Sequence, residues 1–142
     1  MRLLILNGPN INMLGIRNKE IYGDVTYKEL ISLIKKHAKE RNIKVSFYQS
    51  NEEGKLITFI QKNYNKFDGF IVNLGAYTHY SYALRDALEI VNSKIVEVHI
   101  SDVESREEFR KLSVLDGASS YKIIGKGTEG YLLAIDWLIE NK

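Results

Sequence analysis

The sequence of 142 residues predicts an α/β protein, an open parallel sheet of five strands with helices on both faces. Three observations carry this. Short runs rich in Leu, Ile, Val and Phe recur along the chain. Amphipathic stretches with a helical period separate them, and no linker, repeat or low-complexity segment breaks the alternation. One domain, 1–142, accounts for the whole length, because a chain of this size buries about two-thirds of its unfolded surface.

The candidate strands are 2–7, 44–49, 69–73, 95–99 and 120–124. Three of them alternate little between apolar and polar residues, as expected of parallel strands covered on both faces. The first is followed by 8–24, which holds three Gly, three Asn and the only Pro, shows no helix period and reads as a lid. Helix starts are signalled by Thr26 with Glu29, Ser50 with Glu53 and Ser105 with Glu108, each spaced as a capping box. In the first long helix Leu30, Leu33, Ile34 and Ala38 share a face, and in the last Tyr131, Ala134, Ile135 and Leu138 do. Strand and helix in alternation imply right-handed crossovers, here in a flavodoxin-like order.

Composition narrows the function. Twenty basic against eighteen acidic residues leave a net charge of +2, too weak a field to point to nucleic acid. There is no Cys, which excludes a disulfide framework, a thiolate nucleophile and cysteine-ligated metal. The longest apolar runs, 3–6 and 132–135, fall far short of the roughly 18 residues of a membrane span. Residues 7–10, Asn-Gly-Pro-Asn, interrupt the first run too soon for a signal-peptide core, so the cytoplasm is the expected compartment.

In open α/β sheets ligands sit beyond the carboxyl ends of the strands. Here those ends carry Asn7, Gln49 with Ser50, Asn73, His99 and Gly125 with Lys126. A phosphoacceptor site would need acidic residues where Asn7 and Asn73 stand, and a flavin phosphate loop would need more hydroxyls than 8–12 offers. Neither a GxxxxGK[ST] loop nor a GxSxG elbow is present. His37, His79 and His99 lack metal-site spacing and no carboxylate cluster helps them, so no metal is expected.

What remains is Asn10, Arg17 and Tyr22 in the lid, Asn73 and His79 after the third strand, and His99 and Ser101 after the fourth. Each has a structural reading too. Tyr22 suits an apolar plug, Asn73 a turn cap and His99 a core histidine. If the lid folds back, Arg17 would favour the ionised form of a phenol whose ordinary pKa is about 10. Asp86 lies on a helix one turn beyond Tyr82, where it either meets water or faces a neighbour. Arg106 and Arg110 suit surface pairs with Glu107 or Glu108, and Lys35, Lys36 and Lys39 a solvated face.

The run Asn7-Gly8-Pro9-Asn10-Ile11-Asn12-Met13-Leu14-Gly15, followed by Arg17 and Tyr22-Gly23, closely resembles the N-terminal signature of type II 3-dehydroquinate dehydratases. Further motifs follow in the family's order: 49–54, 73–79 with 83–88, and 97–101 through Arg106-Glu107 and Arg110. Together they cover nearly the whole chain. The resemblance implies that Tyr22, assisted by Arg17, takes a C2 proton from 3-dehydroquinate to give an enolate, and that His99 protonates the departing C1 hydroxyl. It implies that Asn10 orients a water on the enolate and that the Ile100 and Ser101 N–H groups hold the carboxylate. Asn73, His79 and Arg110 would bind carboxylate and ring hydroxyls, with Asp86 reaching in from an adjacent subunit.

A homododecamer built of trimers, no cofactor or metal, and a place in the shikimate pathway are also implied. The sequence departs from the family pattern at Lys19, Leu74, Asp102 and Glu104. Two other classes compete with the enzyme: a non-catalytic flavodoxin-like binding module, and a subunit whose sheet serves assembly alone. The intact Arg17, Tyr22 and His99 argue against the first, and a polar group at every strand end against the second.

Overall fold

The computed structural model describes residues 1–142. Five parallel strands, β1 (Arg2–Asn7), β2 (Lys44–Gln49), β3 (Gly69–Asn73), β4 (Lys94–His99) and β5 (Tyr121–Ile124), form one sheet in the order β2-β1-β3-β4-β5. That is the flavodoxin-like order. The strands lie within one residue of their expected bounds.

Helices α2 (Tyr27–Glu40) and α5 (Glu129–Glu140) cover one face of the sheet, and α3 (Glu53–Asn63) and α4 (Tyr82–Glu89) cover the other. The division follows from the two-residue period of a strand. Along β1, Leu3 and Ile5 pack under Leu30, Ile34 and Tyr131, while Leu4 and Leu6 pack under Leu56, Ile60 and Leu84. Every residue of β3 is buried, as both faces are covered. The edge strand β2 is only partly buried. Of the expected helix faces, that of α5 is buried throughout, whereas Leu33 of α2 turns out to solvent.

One capping signal of three holds. Thr26 Oγ1 accepts from the Glu29 N–H at 3.1 Å and starts α2. Ser50 does not cap α3: its hydroxyl accepts from Glu52 N–H, and the Glu53 carboxylate accepts instead from Ser81, which itself caps α4. Ser105 ends the 3-10 turn Val103–Ser105 and donates to the Asp102 carbonyl, and only a second 3-10 turn, Glu108–Lys111, follows, so no α-helix begins there. In both failures a tertiary partner or a tighter turn takes the groups that the local pattern pairs.

The segment 8–24 is more ordered than expected of a loop. It contains a 3-10 turn at Ile11–Met13 and one helical turn, α1 (Lys19–Tyr22), capped by Asn18. Ile11 and Leu14 are buried in the main core and anchor it.

The chain leaves β1 for one sheet edge and β3 for the other, opening the crevice typical of this topology. The backbones there nearly touch. A Cβ on Gly8 would lie 2.4 Å from the Leu74 carbonyl oxygen, and one on Gly75, at φ +59°, would lie 2.8 Å from the Pro9 carbonyl oxygen. Backbone cannot yield as a side-chain tip can. Gly8→Ala is therefore expected to destabilise the fold by about 2 kcal/mol, in line with overpacking elsewhere, measurable as a fall in the urea midpoint.

The sequence also carries a GxGxxG spacing, Gly125-Lys126-Gly127-Thr128-Glu129-Gly130, between β5 and α5. It serves packing: a Cβ on Gly130 would lie 3.1 Å from Val98 Cγ1, so its absence lets α5 sit close on the sheet. A dinucleotide fingerprint needs a further strand bearing an acidic residue about 20 residues on, and β5 is the last strand of this sheet.

Candidate active site

A cavity of about 120 Å³ opens at the carboxyl ends of β1, β3 and β4, the place where open α/β sheets bind their ligands. Of the residues singled out in the sequence, Asn10, Arg17, Tyr22, Asn73, His79, His99, Ile100, Ser101 and Arg110 all line it. Asp86 does not; it is exposed on α4, away from this cavity. Lys126 also lies outside it.

The lid brings Tyr22 over the crevice. Its phenol oxygen accepts from Arg17 Nη2 at 2.9 Å and from Arg106 Nη1 at 2.8 Å. The Arg17 guanidinium also stacks 3.9 Å from the ring centre. Two charge-assisted donors on one phenol oxygen make it an acceptor. Arg106 further donates to Ser101 Oγ at 3.1 Å, tying the lid to the loop after β4. Arg106 was expected to make a surface pair. Its nearest carboxylate, Glu107, is 3.9 Å away, and the Tyr22 bond joins residues 84 apart, which no local pattern signals.

Arg110 does make the expected pair, with Nε 2.5 Å from Glu107 Oε2. The hydrogen bond from Arg110 holds the Glu107 carboxyl below its ordinary value. That pair occupies Nε and leaves the other guanidinium donors of Arg110 at the cavity.

Across the cavity, His99 Nε2 stands 2.6 Å from Glu97 Oε1, and Glu97 is fully buried. Glu97 was not singled out in the sequence as part of the site. Alternation along β4 could have found it, since Glu97 and His99 are two apart and point the same way. His79 donates from Nδ1 to the Leu112 carbonyl at 2.7 Å. Burial lowers the pKa of His79 most, with the charges of His99 and Arg110 adding to this against that hydrogen bond and Glu97. A neutral ring with Nδ1 donating presents Nε2 as an acceptor.

Asn73 is held by two contacts. Its Oδ1 accepts from Gly75 N–H at 3.2 Å and its Nδ2 donates to the Tyr131 hydroxyl at 3.0 Å. One amide hydrogen therefore stays free at the cavity. The Tyr131 hydroxyl donates in turn to Asn7 Oδ1 at 2.7 Å, and complete burial pushes its phenol well above the ordinary range. The sheet thus holds one tyrosine as a neutral donor, while the lid surrounds another with cations. The backbone N–H groups of Ile100 and Ser101 donate to no acceptor in the chain, although both residues are buried. Buried amides without partners are rare in folded proteins and make an anion site.

Tyrosine with two arginines, a buried Glu–His pair and paired free amides around one cavity form an arrangement able to move protons and to hold an anion. Comparison with known proteins agrees. The family model described as Dehydroquinase class II matches residues 1–139. The 3-dehydroquinate dehydratase of Clostridium acetobutylicum is 50% identical over 135 residues, covering 95% of this chain and 94% of that one. That of Lachnoclostridium phytofermentans is 51% identical over 140 residues, covering 98% and 97%. The crystal structure of type II dehydroquinase from Butyrivibrio crossotus superposes with a TM-score of 0.95 at 51% identity, covering 98% of this chain and 97% of that one. Motif order, sheet order and site chemistry thus converge, and the chain belongs to the class II dehydroquinase family.

Proposed function

We propose that the protein is a type II 3-dehydroquinate dehydratase, a hydro-lyase that converts 3-dehydroquinate to 3-dehydroshikimate in the shikimate pathway. The observation that carries this is the Tyr22 oxygen, which accepts from two guanidinium groups across the cavity from the Glu97–His99 pair. A base on one side and an acid on the other suit an anti elimination.

In the forward step the Tyr22 oxygen takes the C2 proton, and the C–H electron pair moves to the ketone oxygen as an enolate. A water oriented by Asn10 stabilises that charge. The enolate then reforms the carbonyl, a C1–C2 double bond appears, and the C1 oxygen leaves as water with a proton from His99. The Ile100 and Ser101 N–H groups and the free Asn73 amide hydrogen hold the substrate carboxylate. His79 Nε2 accepts from a ring hydroxyl, and Arg110 donates to another. All of these groups belong to the chain itself, and the route uses no cofactor or metal.

A single catalytic domain, 1–142, performs this chemistry in the cytoplasm. No helix is long and apolar enough to cross a membrane. The intact acid–base set disfavours a non-catalytic binding module. Incubation with 3-dehydroquinate should raise the ultraviolet absorbance of the conjugated product, and a folded protein that produces no rise overturns the assignment.

The active form is a homododecamer built of trimers, in which Asp86 of one subunit completes the pocket of the next. Its exposure on α4, clear of its own cavity, fits that role. Asp86→Ala should then lose turnover, and mixing it with Tyr22→Phe under conditions of subunit exchange should restore part of it. Each variant supplies the group the other lacks. A fully active monomer in light scattering, or mixing without gain, overturns the shared site.

A further inference from the structure

Ser113 follows the 3-10 turn that carries Arg110 and is buried at 6% exposure. Its Oγ accepts from the Leu115 N–H at 3.1 Å and lies 2.7 Å from Glu97 Oε1. A serine hydroxyl has one hydrogen, and a backbone N–H can only donate. The Ser113 lone pair therefore faces Leu115 and its hydrogen is committed to Glu97. That makes Oε1 an acceptor. The same oxygen is 2.6 Å from His99 Nε2, and in the carboxylate form of Glu97, whose oxygens only accept, the hydrogen between them sits on the ring nitrogen. Glu97 Oε2 is buried without any partner, so no second contact sets the orientation of this carboxylate.

We propose that Ser113 is a positioning residue which, through Glu97, holds the His99 Nε2–H on the carboxylate, so that the second proton of the imidazolium is carried on Nδ1 and is the one handed to the leaving group, which leaves the ring neutral as the Nε2–H tautomer. The inference rests on reading His99 as the proton donor. A turn-capping serine would use only its lone pair; here the hydrogen goes to a buried carboxylate 16 residues away. The adjoining residues serve the same end. The Leu112 carbonyl accepts from His79 Nδ1, and Val114 N–H donates to the Thr78 carbonyl at 2.8 Å. One short stretch, 112–114, thus seats both histidines of the cavity.

The test uses full-length protein labelled with ¹⁵N-histidine, the His99 signals being assigned by their loss in His99→Gln. Wild-type His99, neutral at alkaline pH, should appear as the Nε2–H tautomer. An Nδ1–H tautomer in wild type overturns the proposal without recourse to any variant. In Ser113→Ala the Nδ1–H form should become populated, with kcat down about tenfold and KM changed less than twofold. Ser113→Cys, close in size but a weak donor, should do the same where alanine leaves the protein poorly folded. Ser113→Thr, which keeps the hydroxyl, should restore both readouts. If Ala and Cys lower only the melting temperature while tautomer and kcat stay as in wild type, Ser113 is a loop cap and the proposal fails. The tautomer is read without substrate, so a protein that shifts tautomer yet never converts 3-dehydroquinate overturns the functional reading instead.

Discussion

Tyr22→Phe is expected to fold normally, bind substrate and lose about a hundred- to ten-thousandfold in kcat, the range that a positioned general base contributes. The substitution removes one oxygen from a half-buried ring whose apolar body still packs against the main core. Circular dichroism and product titration should show fold and binding intact, and the ultraviolet assay should show the loss. Loss of the oxygen also frees the Arg17 and Arg106 guanidinium groups, so KM should move much less than kcat. Full activity in this variant would remove the base from the mechanism.

The second large effect belongs to the two arginines. Each makes a charge-assisted hydrogen bond to the Tyr22 oxygen, and such bonds are worth about 1.5–3 kcal/mol. Arg17→Gln and Arg106→Gln are therefore each expected to cut kcat/KM by about 10- to 100-fold, at 1.36 kcal/mol per decade. The pair serves one oxygen, so the double variant should depart from the product of the single effects. Arg106 also binds Ser101 and so holds the lid to the strand-four loop. Arg106→Gln should accordingly raise KM more than Arg17→Gln does. Unchanged turnover in Arg106→Gln would show that Arg17 alone serves the phenol.

The main layers of the protein were legible locally. Strand and helix periods, the Thr26 cap and the polar residues at the strand ends are properties of short stretches, and the structure keeps them. The family motifs carried most of the cavity lining, because they comprise the residues that follow β1, β3 and β4. The lid was less legible. Its 3-10 turn and α1 are too short to show a period, and burial of Ile11 and Leu14 in the core stabilises them. The capping pattern at Ser50 and Glu53 misled because Ser81, 28 residues beyond Glu53, competes for its carboxylate.

Composition, strand and helix order, and residue chemistry at the strand ends were determined by the sequence itself, because each depends on neighbours a few residues away. The partners that give that chemistry its direction were decided by the tertiary structure. Arg106 reaches Tyr22 across 84 residues, and Ser113 reaches Glu97 across 16. A parallel sheet brings all its strand ends to one rim, so residues far apart in the chain become hydrogen-bond partners there. Which donor meets which acceptor depends on crossover handedness, register and loop packing, and these are set only when the whole sheet is assembled.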